Sequence, residues 1–154
     1  MVCEGGRNEG SRHHPTASPG SLPRAELGVG EVVELLPLQS QQQLAELFRR
    51  SQICLSITTH DGTPNSLLEA MACGCFPIAG DLESLREWIS PGVNGLLVDP
   101  NEPEALASAI LSAIDHPELR HHARQENVQL IQQRAEYHQT MQTAEEIYYW
   151  LVRK

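Results

Sequence analysis

From Val32 onward the apolar residues fall into short blocks whose period alternates between that of a strand and that of a helix. "VVELLPL" (32–38) reads as a short strand ended by Pro37. "SQQQLAELFRRSQ" reads as a helix with Ser40 as N-cap and Leu44, Leu47 and Phe48 on one face. "ICLSITT" (53–59) is a mostly apolar run bounded by polar residues, the mark of a buried parallel strand. Next come a helix, "SLLEAMAC", stopped by Gly74; a strand, "FPIAG"; a helix, "LESLREWI"; a turn, "SPGVNG"; and a strand, "LLVD". Strand and helix alternating at this spacing predict an α/β domain whose parallel sheet is covered on both faces.

After Pro100 the pattern is helical throughout. Asn101 with Glu104 has the spacing of a capping box, and Leu106, Ala109, Ile110, Ala113 and Ile114 form a stripe. A polar helix follows from Pro117 with sparse apolar contacts at Leu119, Ala123, Leu130 and Ile131. Tyr137, Met141, Ala144, Ile147, Tyr148 and Leu151 make a last stripe, expected to be core or interface. Residues 1–31 are rich in Gly, Ser, Pro and charge and nearly empty of large aliphatics, so they do not repay the entropy of ordering. The division expected is a disordered tail over 1–31, with His13 and His14 solvated, and one domain over 32–154.

Composition narrows the function classes. Acidic residues outnumber Lys plus Arg by 20 to 11, for a net charge of −9, and the longest basic runs are Arg49-Arg50 and Arg153-Lys154. A nucleic-acid partner is therefore not expected, since a phosphate backbone needs a basic patch. No apolar run reaches the length of a membrane span. Cys3, Cys54, Cys73 and Cys75 form no paired CxxC blocks, and no signal peptide is apparent, which points to reduced thiols and a cytoplasmic setting. Packing is the first reading of Cys73 and Cys75; a metal or redox role is the second.

The chemistry concentrates in "HDGTPNSLLEAMACG" (60–74), which leaves the carboxyl end of a predicted strand, the place where open α/β sheets take ligands. Thr63-Pro64 is a strong helix start: Thr caps, and Pro fits the first turn where a missing N–H is no loss. The N–H groups of Asn65, Ser66 and Leu67 are then expected to point outward with the positive end of the helix dipole, as a phosphate cradle. Gly62 allows close backbone approach. Glu69, between Leu68 and Ala70, is either solvent-facing or satisfied by a ligand such as the hydroxyls of a ribose, because a buried unpaired carboxylate costs several kcal/mol.

This stretch resembles the E-x7-E region of the retaining GT-B glycosyltransferases of family 4, the glycosyl transferases group 1. "FPIAGDLESLREWISPGVNGLLVDPNEPEALASAI" is similar to the strand, helix, turn, strand and helix that follow it in that family, so the likeness covers roughly 32–150. The resemblance implies a Rossmann-like parallel sheet, part of the C-terminal, donor-binding half of a GT-B fold, with C-terminal helices. Glu69 then matches the glutamate that binds the ribose of a nucleotide diphosphate sugar. Asp61 matches the acidic position beside the donor sugar that orients it as the glycosidic bond breaks. Gly62, Thr63, Asn65, Ser66 and Leu67 match the loop and helix start that hold the diphosphate. More loosely, 36–38 fall where backbone groups contact the base.

Asp61 stands where the family usually has Glu. The acceptor half, and the opening segment in which the family keeps an Arg and a Lys for the donor phosphates, are absent from the sequence, and Arg49, Arg50 and Arg86 are the candidate substitutes. Weak nucleotide binding is expected as a result. The implied function is sugar transfer with retention once an acceptor-binding half completes the enzyme, with no cofactor and no metal, and no D-x-D triplet occurs. The alternative is a non-catalytic nucleotide-binding subunit or a truncated, inactive fragment. A phosphoacceptor receiver fits poorly, because it needs a lysine after its last strand and the only one here is Lys154.

Overall fold

The computed structural model describes residues 26–60 and 62–153. Three parallel strands, β1 (Ile53–Ser56), β2 (Phe76–Gly80) and β3 (Leu96–Val98), lie in the order β1-β2-β3. Ile53 pairs with Phe76 and Ser56 with Ala79; Ile78 pairs with Leu96 and Gly80 with Val98. The helices are α1 (Gln41–Arg50), α2 (Asn65–Ala72), α3 (Glu83–Arg86), α4 (Pro103–Asp115), α5 (Pro117–Arg134) and α6 (Tyr137–Val152).

Period-two alternation distributes the core between the sheet's faces. Phe76, Ile78 and Val98 pack with Ala113 of α4 and Ala123 of α5, alongside Leu55 and Leu96. On the other face Ala79 joins Leu67, Met71, Leu85, Ile89 and Ile131, while Cys54 and Cys75 join Phe48 and Ala70. Both faces are covered, as expected for a parallel sheet. α5 belongs to both layers. Ala123 and Ile131 lie in different clusters, and Asn127 between them is fully buried and donates to the Cys75 carbonyl just before β2.

Local signals act as expected in α1, where the Ser40 hydroxyl accepts from the Gln43 N–H and the Gln43 side chain accepts from the Ser40 N–H. α2 ends in a Schellman motif, with Gly74 at φ +86° and the Cys75 N–H on the Ala70 carbonyl. The packing reading of the cysteines fits: Cys54 and Cys75 are buried, Cys73 is half-buried, and all three are free thiols. Cys75 donates to the Phe48 and Ser51 carbonyls at 3.0 and 3.4 Å, and burial pushes its thiol up to about 11.

Several expectations fail. The segment 32–38 is irregular and exposed, with Leu38 wholly so, and among the described residues no strand lies beside it to complete a ladder. β1 stops at Ser56, where its pairing with β2 ends. The helix expected over 82–89 is only the four residues of α3. No side chain caps α4, since Asn101 donates to Asp99 and Pro103 opens the helix. α6 has no buried residue, so its stripe is not core; Met141, Ile147 and Tyr148 are each at least half exposed. Of the expected tail, 1–25 lie outside the described residues, as do Cys3, His13 and His14.

Candidate functional site

The segments leaving the carboxyl ends of the strands line a cleft of about 540 Å³: Thr59 and His60 follow β1, Asp81 and Leu82 follow β2, and Asp99, Pro100 and Asn101 follow β3. β1 also leads into the head of α2. Both features lie at the sheet edge that receives ligands in open α/β folds.

At the head of α2 the N-cap is Pro64, and no side chain caps the helix. The N–H groups of Asn65 and Ser66 bond to no described residue. The Leu67 N–H, by contrast, donates to the Pro64 carbonyl at 3.0 Å, and the Leu67 side chain is fully buried in the core. The expected cradle of three amides is therefore reduced to two, because the first turn tightens with an i to i+3 bond. Thr63 does not cap either. Its Oγ1 accepts the indole N–H of Trp88 at 3.2 Å. Gly62 is exposed, its carbonyl accepts the Ser84 hydroxyl at 3.0 Å, and nothing occupies the space a Cβ would fill. Asp61 lies outside the described residues.

Glu69 stands four residues beyond Asn65, hence on the same helix face and about 6 Å further along the axis. It is half-buried, and its carboxylate makes no hydrogen bond or ion pair with a described residue. The helix thus presents two open donors at its end and an open carboxylate acceptor one turn on, a spacing suited to a diphosphate and its ribose.

The cleft wall is acidic. Arg86 forms a two-pronged pair with Asp81, Nε to Oδ1 at 2.7 Å and Nη2 to Oδ2 at 2.8 Å, and holds the Asp81 carboxyl below its ordinary pKa. Asp99 accepts the backbone N–H and side-chain amide of Asn101. The candidate basic substitutes are not free for a diphosphate: Arg86 is committed to Asp81, and Arg49 and Arg50 end α1, which runs into the amino end of β1 at the opposite edge of the sheet.

Sequence reasoning missed Trp88 and Ser84, the residues that fasten the 62–63 loop, because their partners are more than twenty positions away. It also missed Asn127. The available signal was its place midway between Ala123 and Ile131 at helical spacing, a polar residue within an apolar stripe.

Residues 21–129 match the family model for the glycosyl transferases group 1. The chain belongs to this family. The D-inositol 3-phosphate glycosyltransferase of Thermobispora bispora is 32% identical over 94 residues, 61% of this chain and 22% of that relative. The fold matches sucrose-phosphate synthase from Thermosynechococcus elongatus with a TM-score of 0.80 at 23% identity, over 84% of this chain and 33% of that one. It also matches Anabaena HepE in complex with UDP-glucose, with a TM-score of 0.74 at 23% identity, over 82% and 35%. The chain spans between a fifth and about a third of the lengths of these relatives. Its three-stranded sheet is a partial GT-B domain. Among its described residues no helix is long and apolar enough to cross a membrane.

Proposed function

We propose that the chain is the donor-binding portion of a retaining glycosyltransferase, which takes a sugar from a nucleotide diphosphate sugar and passes it to an acceptor held by a separate half. The observation that carries this reading is Glu69: a half-buried carboxylate without a partner among the described residues, one turn above two open amides. In this reading Glu69 accepts the ribose hydroxyls. The Asn65 and Ser66 amides, with the dipole of α2 behind them, stabilise charge on the leaving diphosphate through donors already in place. Gly62 admits the phosphate closely, and Asp61 orients the donor sugar. The chemistry calls on no cofactor or metal. The acceptor-binding half would cover the exposed face of α6 around Met141 and Tyr148.

With no uncommitted arginine among the described residues that line the cleft, the isolated chain is expected to bind nucleotide weakly. The complex of HepE with UDP-glucose makes UDP the first ligand to test, with GDP and ADP beside it. Calorimetric titration at low ionic strength should show UDP binding that Glu69→Ala weakens about 10- to 100-fold, the value of one charge-assisted hydrogen bond to a hydroxyl. Equal affinity in the variant contradicts the role of Glu69. Binding without sugar transfer, even with an acceptor half supplied, favours the alternative of a non-catalytic nucleotide-binding subunit or an inactive fragment.

A further inference from the structure

Thr63-Pro64 is a sequence built to cap its own helix, yet the Thr63 hydroxyl is turned to Trp88 and α2 has no side-chain cap. The indole is held on several sides. Arg134, the last residue of α5, lies over the ring with its guanidinium carbon 4.5 Å from the centroid, and its Nη1 donates to the Glu87 carbonyl at 2.6 Å. The Trp88 carbonyl accepts the Asn94 side-chain amide at 2.9 Å, and the ring packs against the cluster of Leu67, Met71 and Leu85. A side chain fixed in this way is a firm anchor for a hydrogen bond.

We infer that Trp88 is a positioning residue of the nucleotide site: it holds the Thr63 hydroxyl away from the head of α2, so that the Asn65 and Ser66 amides stay open for the diphosphate. The inference rests on the donor-site reading above. A threonine hydroxyl before a helix otherwise accepts from the amide two or three residues on. Released from Trp88, Thr63 competes with phosphate for the same donors. Arg134 acts at one remove, through its stacking on the ring.

Equilibrium titration with UDP of the wild type, Trp88→Phe, Thr63→Val and the double variant tests this, with folding followed by circular dichroism. Trp88→Phe keeps an aromatic ring and loses the N–H, and is expected to weaken UDP binding about five- to tenfold. Thr63→Val alone, which has no oxygen to cap with, sets the reference affinity for the double variant. Added to Trp88→Phe, it should recover most of the lost affinity. A residue that merely supports the fold gives no such rescue. If Trp88→Phe fails to fold, Arg134→Met carries the test, with a two- to threefold weakening expected, about the worth of an exposed cation–π contact, that Thr63→Val reverses. A folded Trp88→Phe with unchanged affinity, or a double variant as weak as the single one, overturns the inference and leaves the donor site standing. No UDP binding by the wild type overturns both.

Discussion

Replacing Asn127 with leucine is expected to remove about 3–4 kcal/mol of stability, from the loss of three buried hydrogen bonds and the stranding of the groups they served. The side chain is fully buried. Its Nδ2 donates to the Asn94 carbonyl at 2.9 Å and to the Cys75 carbonyl at 3.4 Å, and its Oδ1 accepts from Asn94 Nδ2 at 2.9 Å. Asn94 in turn accepts the Ser90 N–H at 2.7 Å and donates to the Trp88 carbonyl. One amide on α5 therefore fastens the turn before β3 and the residue before β2. Leucine has about the right volume but leaves two carbonyls without donors in a dry interior. Urea unfolding should show a lower midpoint at an unchanged slope. A loss below about 1 kcal/mol would mean that water serves those carbonyls.

Gly80→Ala is expected to cost about 2–3 kcal/mol and to damage the donor site as well, since a group forced into close packing displaces backbone. An added Cβ would lie 2.6 Å from the Thr58 carbonyl oxygen, a contact that no side-chain rotation relieves. Thr58 belongs to the segment that runs from β1 toward Gly62 and the head of α2, so the shift propagates to the cradle. Gly62→Ala provides the contrast. Open space surrounds that position, so stability should hold to within about 0.5 kcal/mol, as for an ordinary surface change, while UDP binding falls. Equal stability of the two variants in urea, or unchanged UDP affinity in Gly80→Ala, contradicts this account.

Local order was the legible part of the sequence. The run "FPIAG" coincides with β2, Ser40 caps α1, and Gly74 ends α2, because each depends on the residue itself and its near neighbours. Expectations that depended on distant partners failed. Thr63 has the spacing of a cap, but Trp88, 25 residues on, takes its hydroxyl. The segment 32–38 has the composition of a strand but, among the described residues, no strand beside it. Leu67 lost its place in the cradle to a tightening of the first turn, a detail that residue types do not carry. In the candidate site, the head of α2 and Glu69 were legible from charge and spacing. The acid-lined cleft and the fastening of the 62–63 loop were not, because each joins groups from separate segments, and the Asp81–Arg86 pair, five residues apart, depends on how the chain turns from β2 into the four-residue α3.

The most direct test of the account is a titration of uniformly ¹⁵N-labelled protein with UDP, read at each backbone amide. Binding as described moves the amide resonances of Gly62, Asn65 and Ser66 most, with the Leu67 amide, already bonded to Pro64, moving less, and Glu69→Ala reduces the shifts at the same UDP concentration. Shifts confined to α6 or to the amino edge of the sheet, with the head of α2 unmoved, would contradict the assignment of this helix as the diphosphate cradle.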